Sequence, residues 1–474
     1  MAKKDNKTPS PINGDTCEVV DKNVRSFLGN ELLSYSKYVI ETRTMPSIMD
    51  GLRIGARKIT WAAMTGDLKS ASKVKMMSLI GDTFKLEYHH GDSSLLNTVI
   101  QLGSTHLNRF APLEIIGQIG SLRNPECKTA PRYMHVRKSP FMEILRTDME
   151  LLEIKVEEGI KTEPRFFLPV IPMTLVWRTS SPGFGFGFRV FSYSFDNIID
   201  NCITSILEGK CDTPDNMSLM KPQVEEIKDH NMIYNQSRDS WYNVGESNIE
   251  GDMLIVTDLP YDVSFQSYEE HLNTLVDENY IESFQDLSSD NKIRYIIKFS
   301  QGRLKVLERD KWSFYKKMLL YVKVTRDTLN CLDSDGKTIL HFDNPYQLID
   351  AFVKRRIVYY SMRKDKTIKH LENMIDNTRH TIKFIKLVND GSIVISRRKV
   401  EDIKVDLDKY SLPHELLDIN VSKLSLDGIT TLETLVSTSI EKLEYIQGTP
   451  VKEMYISDLI DIKKKYSGIE VFES

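Results

Sequence analysis

The dipeptide Arg132-Tyr133 sits near the end of a stretch from Ile116 to Arg137 that reads IGQIGSLRNPECKTAPRYMHVR. A phenol, with a pKa of about 10, is a poor nucleophile at neutral pH. The chemistry open to it is attack on an electrophile such as phosphorus, given a neighbouring cation that favours the phenolate and steadies the charge of a pentavalent phosphate. Arg123, Lys128, Arg132 and Arg137 give the stretch a charge suited to phosphates, while Gly117 and Gly120 let its backbone approach a large partner closely. An Arg-Tyr after a proline is also an ordinary surface loop, so the surroundings must decide between the two.

Two other segments precede it in order: Arg43 with MPSIMDGLRIGARK, then YHHGDSS from Tyr88 to Ser94. The three together resemble the type IIA DNA topoisomerases, the group of gyrase A subunits and eukaryotic topoisomerase II, in which Gly-Gln-x-Gly leads into a basic loop and an Arg-Tyr. The matching residues are Gly117, Gln118, Gly120, Arg132 and Tyr133. The resemblance runs from Val24 to Tyr466, with spacing closer to the eukaryotic enzymes. It implies that Tyr133 attacks a DNA phosphate, giving a 5′-phosphotyrosyl link and a free 3′-hydroxyl. Arg132 would stabilise the pentavalent phosphate, with Arg43 and His90 as weaker candidates. DNA contacts are expected from Lys73, Lys75, Arg53, Arg57, Lys58, His89, Ser93, Arg123 and Lys128. Ile171, held extended by Pro172, is expected to wedge between base pairs and bend the duplex. Ala56 stands where family members commonly carry His or Gln, which removes a polar contact.

The resemblance also implies a type II reaction on double-stranded DNA: two chains cut both strands, a second duplex passes, and DNA is relaxed and decatenated. The sequence shows neither ATPase motifs nor a strand-borne acidic cluster for Mg²⁺. Both ATP and Mg²⁺ are therefore expected on a partner subunit, as in split enzymes of phage or viral type, with this chain forming a homodimer through a C-terminal gate within a heterotetramer or larger assembly. The alternative is a catalytically inactive winged-helix DNA-binding or architectural protein. It would keep the basic face and Ile171 but would need neither Arg132 nor Tyr133.

The elements that must position these residues are legible in outline. With 474 residues the chain is too long for one core. Its net charge is −4, yet Arg25 to Arg146 holds 17 basic and 10 acidic residues, so a basic first third precedes an acidic remainder. Five scattered cysteines, Cys17, Cys127, Cys202, Cys211 and Cys331, support neither a disulfide framework nor a zinc site. No apolar run is long enough for a membrane span and no signal peptide is visible, so a cytoplasmic setting is expected. Residues 1–24 read as a flexible tail. From Val24 a helical pattern predicts a buried face of Phe27, Leu28, Leu32, Tyr35, Tyr38 and Val39.

The fold class that the resemblance implies is α+β and multidomain, with the domains that follow. A winged-helix DNA-cleavage domain spans 25–162, with helix, turn and helix around YHHGDSS and with Asp92 and Ser93 fitting an N-cap. A mixed α/β tower spans 163–344, and a long antiparallel coiled coil with a helical C-gate spans 345–474. In the last, Leu348, Phe352, Tyr359, Leu371, Ile375, Ile382 and Ile385 keep near-heptad spacing until Asp390-Gly391, and amphipathic helices ending at Tyr466 are assigned to the gate. Asp333 and Asp335 are read as a hairpin turn rather than metal ligands.

Overall fold

At Gly51 the backbone adopts φ 67° in a space where a β-carbon would lie 2.5 Å from the Thr174 amide nitrogen, so conformation and crowding both call for glycine at this Asp50-Gly51 turn, as the Asp-Gly pair predicts. The turn leads into helix α1 (Ile54–Thr65), which buries Ile59, Ala62, Ala63 and Met64. The computed structural model describes residues 23–466 apart from 67, 69–70, 105–107, 109, 122, 125–127, 178, 182–186, 191, 212–230, 236–239, 261–262, 290–291, 305–309, 325–327, 396–397 and 419–425. The expected tail up to residue 22, and the glycine run with Gly183, Phe184, Gly185 and Phe186, lie outside the described residues.

Strand β1 (Val74–Lys75) runs into helix α2 (Met76–Phe84), and a turn at 85–91 leads to helix α3 (Asp92–Gly103). Strands β2 (Leu113–Ile116) and β3 (His135–Lys138) complete an antiparallel sheet in the order β1-β3-β2, with Val74 opposite Val136 and Ile115 also opposite Val136. Three helices with a small sheet, two of whose strands follow the helix-turn-helix, make the expected winged helix. The helical pattern from Val24 forms as Val24–Phe27 and Leu33–Val39, with π-helical stretches Leu28–Leu32 and Ile40–Thr44. Its expected buried face does not form. Phe27, Leu28, Tyr35 and Tyr38 are roughly half exposed, and only Ile40 and Thr44 at the end are buried. Periodicity marks an apolar face without saying what covers it.

Three separate apolar cores divide the molecule. The first takes in residues from Ile40 to Tyr466: the winged helix, Phe166 to Cys211, the hairpin of β4 (Leu329–Leu332) and β5 (Ile339–Phe342), the start of the long arm helix, and the C-terminal helix. The expected boundaries at 162/163 and 344/345 therefore fall inside one core. The second is built on a four-stranded antiparallel sheet (Ser247–Glu250, Met253–Val256, Tyr295–Lys298, Ser283–Asp286 in that spatial order) and on helix Phe265–Asp277. Leu254 and Val256, like Tyr295 and Ile297, face this core at the two-residue spacing of a strand. The third joins Phe384, Ile393, Ile403, Leu407, Leu412 and Leu416 at the far end of the arm.

The arm begins at helix α4 (Pro345–Asn389). The Asn344 side chain caps it by accepting from the Gln347 amide at 3.0 Å, and Gly391 at φ 81° follows its end, so both expected boundaries hold. Its buried seam passes through Tyr360 and Phe384, not the expected Tyr359 and Ile382, which are half-buried. Helix α5 (Leu426–Gly448) returns antiparallel: Glu433 pairs with Lys386 at 2.9 Å, while the Gln447 carbonyl accepts from Lys364 at 3.0 Å. Helix α6 (Val451–Tyr466) corrects the expectation that the last helices form the gate. Its Tyr455, Leu459 and Tyr466 are buried in the first core, and the Tyr466 hydroxyl donates to the Pro140 carbonyl at 3.1 Å. The outer end of the arm is instead the third core.

The root of the arm is locked by charge. Arg356, fully buried, pairs with Asp148 at 2.5 Å and donates to the Leu168 and Pro169 carbonyls at 3.0 Å each. The Arg356 and Arg363 guanidiniums lie 4.4 and 4.3 Å from the centroid of the Tyr360 ring, which also stacks on Tyr455. Asp333 pairs with Arg355 at 2.6 Å and Asp335 accepts from the Lys337 and Thr338 amides, so both carboxylates serve the hairpin as read. Among the described residues no helix is long and apolar enough to cross a membrane.

Candidate active site

Tyr133 ends a short 3₁₀ turn, Pro131–Tyr133, in which the Tyr133 amide donates to the Ala130 carbonyl at 3.0 Å and the Met134 amide donates to the Pro131 carbonyl at 3.1 Å. Proline fixes φ at the first position of this turn. Immediately after it the chain enters β3, the central strand of the sheet, and Met134 is wholly buried. The Met76 amide donates to the Met134 carbonyl at 3.0 Å, so the start of α2 clamps the same point. Gly117, at φ 139°, packs so tightly here that a β-carbon would sit 3.1 Å from Met134 Cγ. The backbone beside the tyrosine is thus fixed, while its side chain stands 63% exposed. Among the described residues none hydrogen-bonds its hydroxyl. The Arg132 guanidinium lies over the ring, 4.9 Å from its centroid. An accessible phenol on a rigid turn with a cation against it can act only on a substrate that comes to the surface.

Around the turn three lysines are exposed, while Arg137 pairs with Glu114. Lys75 is opposite His135 in the β1 and β3 register, and Lys73 and Lys75 are exposed, as is Lys128. The loop before the turn folds back on itself through an Ile119 to Lys128 bridge and a Thr129 amide that donates to the Gln118 carbonyl at 2.8 Å.

The turn between α2 and α3 carries the histidines. Arg43 Nη2 lies 3.3 Å from His90 Nδ1. Arginine only donates, so Nδ1 accepts and the ring proton belongs on Nε2, an assignment made from the partner. Burial, then the Arg43 charge, then His89 hold the His90 pKa below its ordinary value, which keeps the ring neutral at pH 7. A neutral ring with Nε2–H free of Arg43 is a hydrogen-bond donor suited to a phosphate oxygen. His89 is exposed. Ser93 is also exposed, but the N-cap is Gly91, one position earlier than expected, and Asp92 accepts from the Ser93 amide at 2.8 Å.

Four expected DNA contacts are taken up inside the protein. Arg57 is 4% exposed and donates to both oxygens of Asp50, at 2.6 and 2.9 Å, and to the Leu52 carbonyl at 2.7 Å. Lys58, 3% exposed, pairs with Glu163 at 2.8 Å and Glu157 at 3.2 Å and donates to the Leu86 carbonyl at 2.6 Å. A buried cation without partners would be far costlier than one in water, so these residues stabilise the domain and do not reach a phosphate. Arg123 is held by the four-stranded sheet, pairing with Asp286 at 2.5 Å and donating to the Ser288 carbonyl at 2.6 Å. Ile171 is completely buried in the first core, beneath the arm root, so the wedge assigned to it does not stand. Arg53 is half-buried, 3.5 Å from Gln101, and burial lowers its pKa.

Sequence reasoning missed the anchors: Met134, Asp50, Glu163 and Asp286. Asp50 has a local signal, since it lies seven positions before Arg57. Among the described residues no three His, Cys, Asp or Glu side chains converge as metal ligands would.

Comparison with known proteins places this geometry in context. The family of the A subunit of DNA gyrase/topoisomerase IV matches residues 43–463. The chain is 25% identical over 460 residues to the mitochondrial DNA topoisomerase 2 of Dictyostelium discoideum, covering 92% of this chain and 35% of that protein. It is 26% identical over 497 residues to DNA topoisomerase 2 of Plasmodium falciparum, covering 94% and 34%. The chain spans about a third of the length of these relatives. Its fold is similar to that of the solved DNA-binding, cleavage and re-ligation domain of Plasmodium falciparum topoisomerase II, with a TM-score of 0.78 and 24% identity over 93% of this chain and 64% of that one.

Proposed function

This chain belongs to the family of the DNA gyrase/topoisomerase IV A subunits, and we propose that it is the DNA cleavage and religation subunit of a type II topoisomerase, with Tyr133 as nucleophile. The observation that carries the reading is the exposed Tyr133 on its clamped turn, with Arg132 against the ring. In the proposed step Tyr133 Oη attacks a backbone phosphorus, the new Oη–P bond forms, and the P–O3′ bond breaks. The phenolic proton is lost to solvent and the 3′-oxygen leaves as a hydroxyl after taking up a proton. Religation is the reverse, and bond energy is conserved in the phosphotyrosyl link. Arg132 offsets the charge that builds on the pentavalent phosphate, and neutral His90 donates from Nε2 to a non-bridging oxygen while Arg43 holds its tautomer. Lys73, Lys75 and Lys128 supply backbone contacts that position the duplex without reading its sequence.

Among the described residues no group of three His, Cys, Asp or Glu side chains converges. The partner subunit is assigned both Mg²⁺ and ATP. Another copy of this chain is proposed to meet it at the arm's outer end, where Val394, Val400 and Val405 are exposed beside the third core. Relaxation and decatenation of double-stranded DNA are the activities expected of that assembly. The test is relaxation of supercoiled plasmid by the chain with its partner subunit, Mg²⁺ and ATP. Tyr133→Phe should remove the activity while DNA binding persists. Full activity in that variant would overturn the reading.

A further inference from the structure

The loop that leads to Tyr133 is fastened to a different part of the molecule by a single side chain. Arg123 lies ten positions before the tyrosine, in a turn closed by the Ser121 amide donating to the Asn124 carbonyl at 3.2 Å and the Asn124 amide donating to Ser121 Oγ at 3.0 Å. Its two terminal nitrogens point away from the winged helix to the end of a hairpin in the four-stranded sheet, to Asp286 and to the Ser288 carbonyl. The receiving site is built in advance. Asp286 Oδ1 already accepts from the Ser288 amide at 2.8 Å, Ser288 Oγ accepts from the Arg294 amide at 2.9 Å, and the Leu287 amide donates to the Arg294 carbonyl at 2.8 Å. Asp286 itself is paired with Tyr295, whose ring is buried in the second core.

The pair is not an ordinary surface ion pair. Exposed pairs contribute little, because two long side chains must be ordered in water. Here the Asp286 side chain is 11% exposed, the guanidinium is used at two points, and both ends sit on backbone that other hydrogen bonds already order. From Arg123 the connection runs through the 121–124 turn to the bridge between Ile119 and Lys128, then through Thr129 and Gln118 to the Pro131–Tyr133 turn. Each link is a fixed backbone contact.

We propose that Arg123 is a positioning residue: by tying the tyrosine loop to the hairpin end at Asp286, it sets where Tyr133 stands relative to DNA lying across both parts. It makes no contact with DNA itself, contrary to the expectation from its charge. This rests on the reading of Tyr133 as nucleophile, and it adds that the smaller, strand-rich part of the chain controls the reactivity of the winged helix.

The experiment uses the full chain with its partner subunit, Mg²⁺ and a labelled duplex. It measures the duplex dissociation constant at several salt concentrations and, at saturating DNA, the rate at which covalent adduct forms. The variants are Arg123→Ala, Asp286→Ala and the double. A misplacement of about 1 Å can cost on the order of 100-fold in rate, so each single variant should slow adduct formation by about tenfold or more. Affinity and its salt dependence should stay unchanged, because neither residue meets a phosphate. The double variant should be no slower than the slower single, since both remove one contact. Arg123→Ala that weakens binding and shallows the salt dependence would overturn the proposal in favour of a DNA contact. Unchanged adduct rates, or losses that multiply in the double, would also overturn it. Absence of adduct from the unaltered chain would instead remove the underlying reading of Tyr133. Asp286→Asn, which keeps the shape of the hairpin end, guards against misfolding and should show the same loss in rate.

Discussion

Two groups of cations in this molecule look alike in sequence and serve opposite ends. Arg57, Lys58 and Arg356 are almost wholly buried, and each is held by a carboxylate and by at least one backbone carbonyl. Lys73, Lys75 and Arg132 are exposed, and among the described residues no carboxylate pairs with them. The excess of positive charge between Arg25 and Arg146 therefore overstates the surface available to phosphates. What separates the groups is the presence of a built partner, not the residue type. Removing a member of the first group should damage the fold, and removing one of the second should damage only what happens at the surface.

The sharpest break in that contrast comes from the buried side. Asp50→Ala leaves the Arg57 guanidinium buried without its carboxylate and strips the Leu52 and Phe167 amides of their acceptor. It should lower stability by about 3–5 kcal/mol, read by chemical denaturation. On the exposed side, Arg132→Ala should leave unfolding within about 0.5 kcal/mol of the parent. Its adduct rate should fall by roughly 10²–10³-fold, the scale of losing one preorganised donor. Were Arg132→Ala to destabilise the chain as Asp50→Ala does, the division between the groups would fail.

Acid supplies a gentler test. Burial pushes the Glu163 carboxyl up, but Lys155 and Lys58 outweigh it and hold its pKa below the ordinary value. A carboxylate depressed in the folded state contributes stability that is present above its unfolded pKa and lost as pH falls through the folded one. The unaltered chain should therefore lose stability as pH drops below the ordinary carboxylate range. Glu163→Gln should be less stable at neutral pH and should show a flatter acid limb in thermal unfolding. The smallest effect belongs to single lysines: Lys75→Ala should weaken duplex binding evenly across sequences and reduce the salt slope by about one, with folding untouched.

Local features were legible in the sequence because their causes are local. The Asp50-Gly51 turn, the Asn344-Pro345 helix start, the Asp390-Gly391 stop and the hairpin at Asp335-Gly336 each rest on residue types that only such backbone favours. The winged helix was implied by the family resemblance, with which two helical patterns and short strands around one tyrosine agree. What was not legible depends on partners far along the chain. Lys58 sits on a helix like a surface lysine until Glu163 arrives, and Arg123 looks like a phosphate ligand until the hairpin at Asp286 is folded. Ile171-Pro172 reads as an extended wedge, but Arg356 and Tyr455 reach the Leu168, Pro169 and Val170 carbonyls beside it and cover the segment with the arm root. Helix α6 packs into the first core and not at the gate that the resemblance implied, since amphipathic spacing shows that a face is covered, not by what.

The central claim, that Tyr133 is the nucleophile, is tested most directly by trapping the covalent complex. The chain, Mg²⁺ and the partner subunit would be incubated with an end-labelled duplex, denatured rapidly, digested with protease and nuclease, and the nucleotide-bearing peptide sequenced by mass spectrometry. The expected result is one modified residue, Tyr133, joined to a 5′-phosphate, with the opposite 3′-end a free hydroxyl. A phosphate carried by another tyrosine, or linkage to a 3′-end, would contradict it.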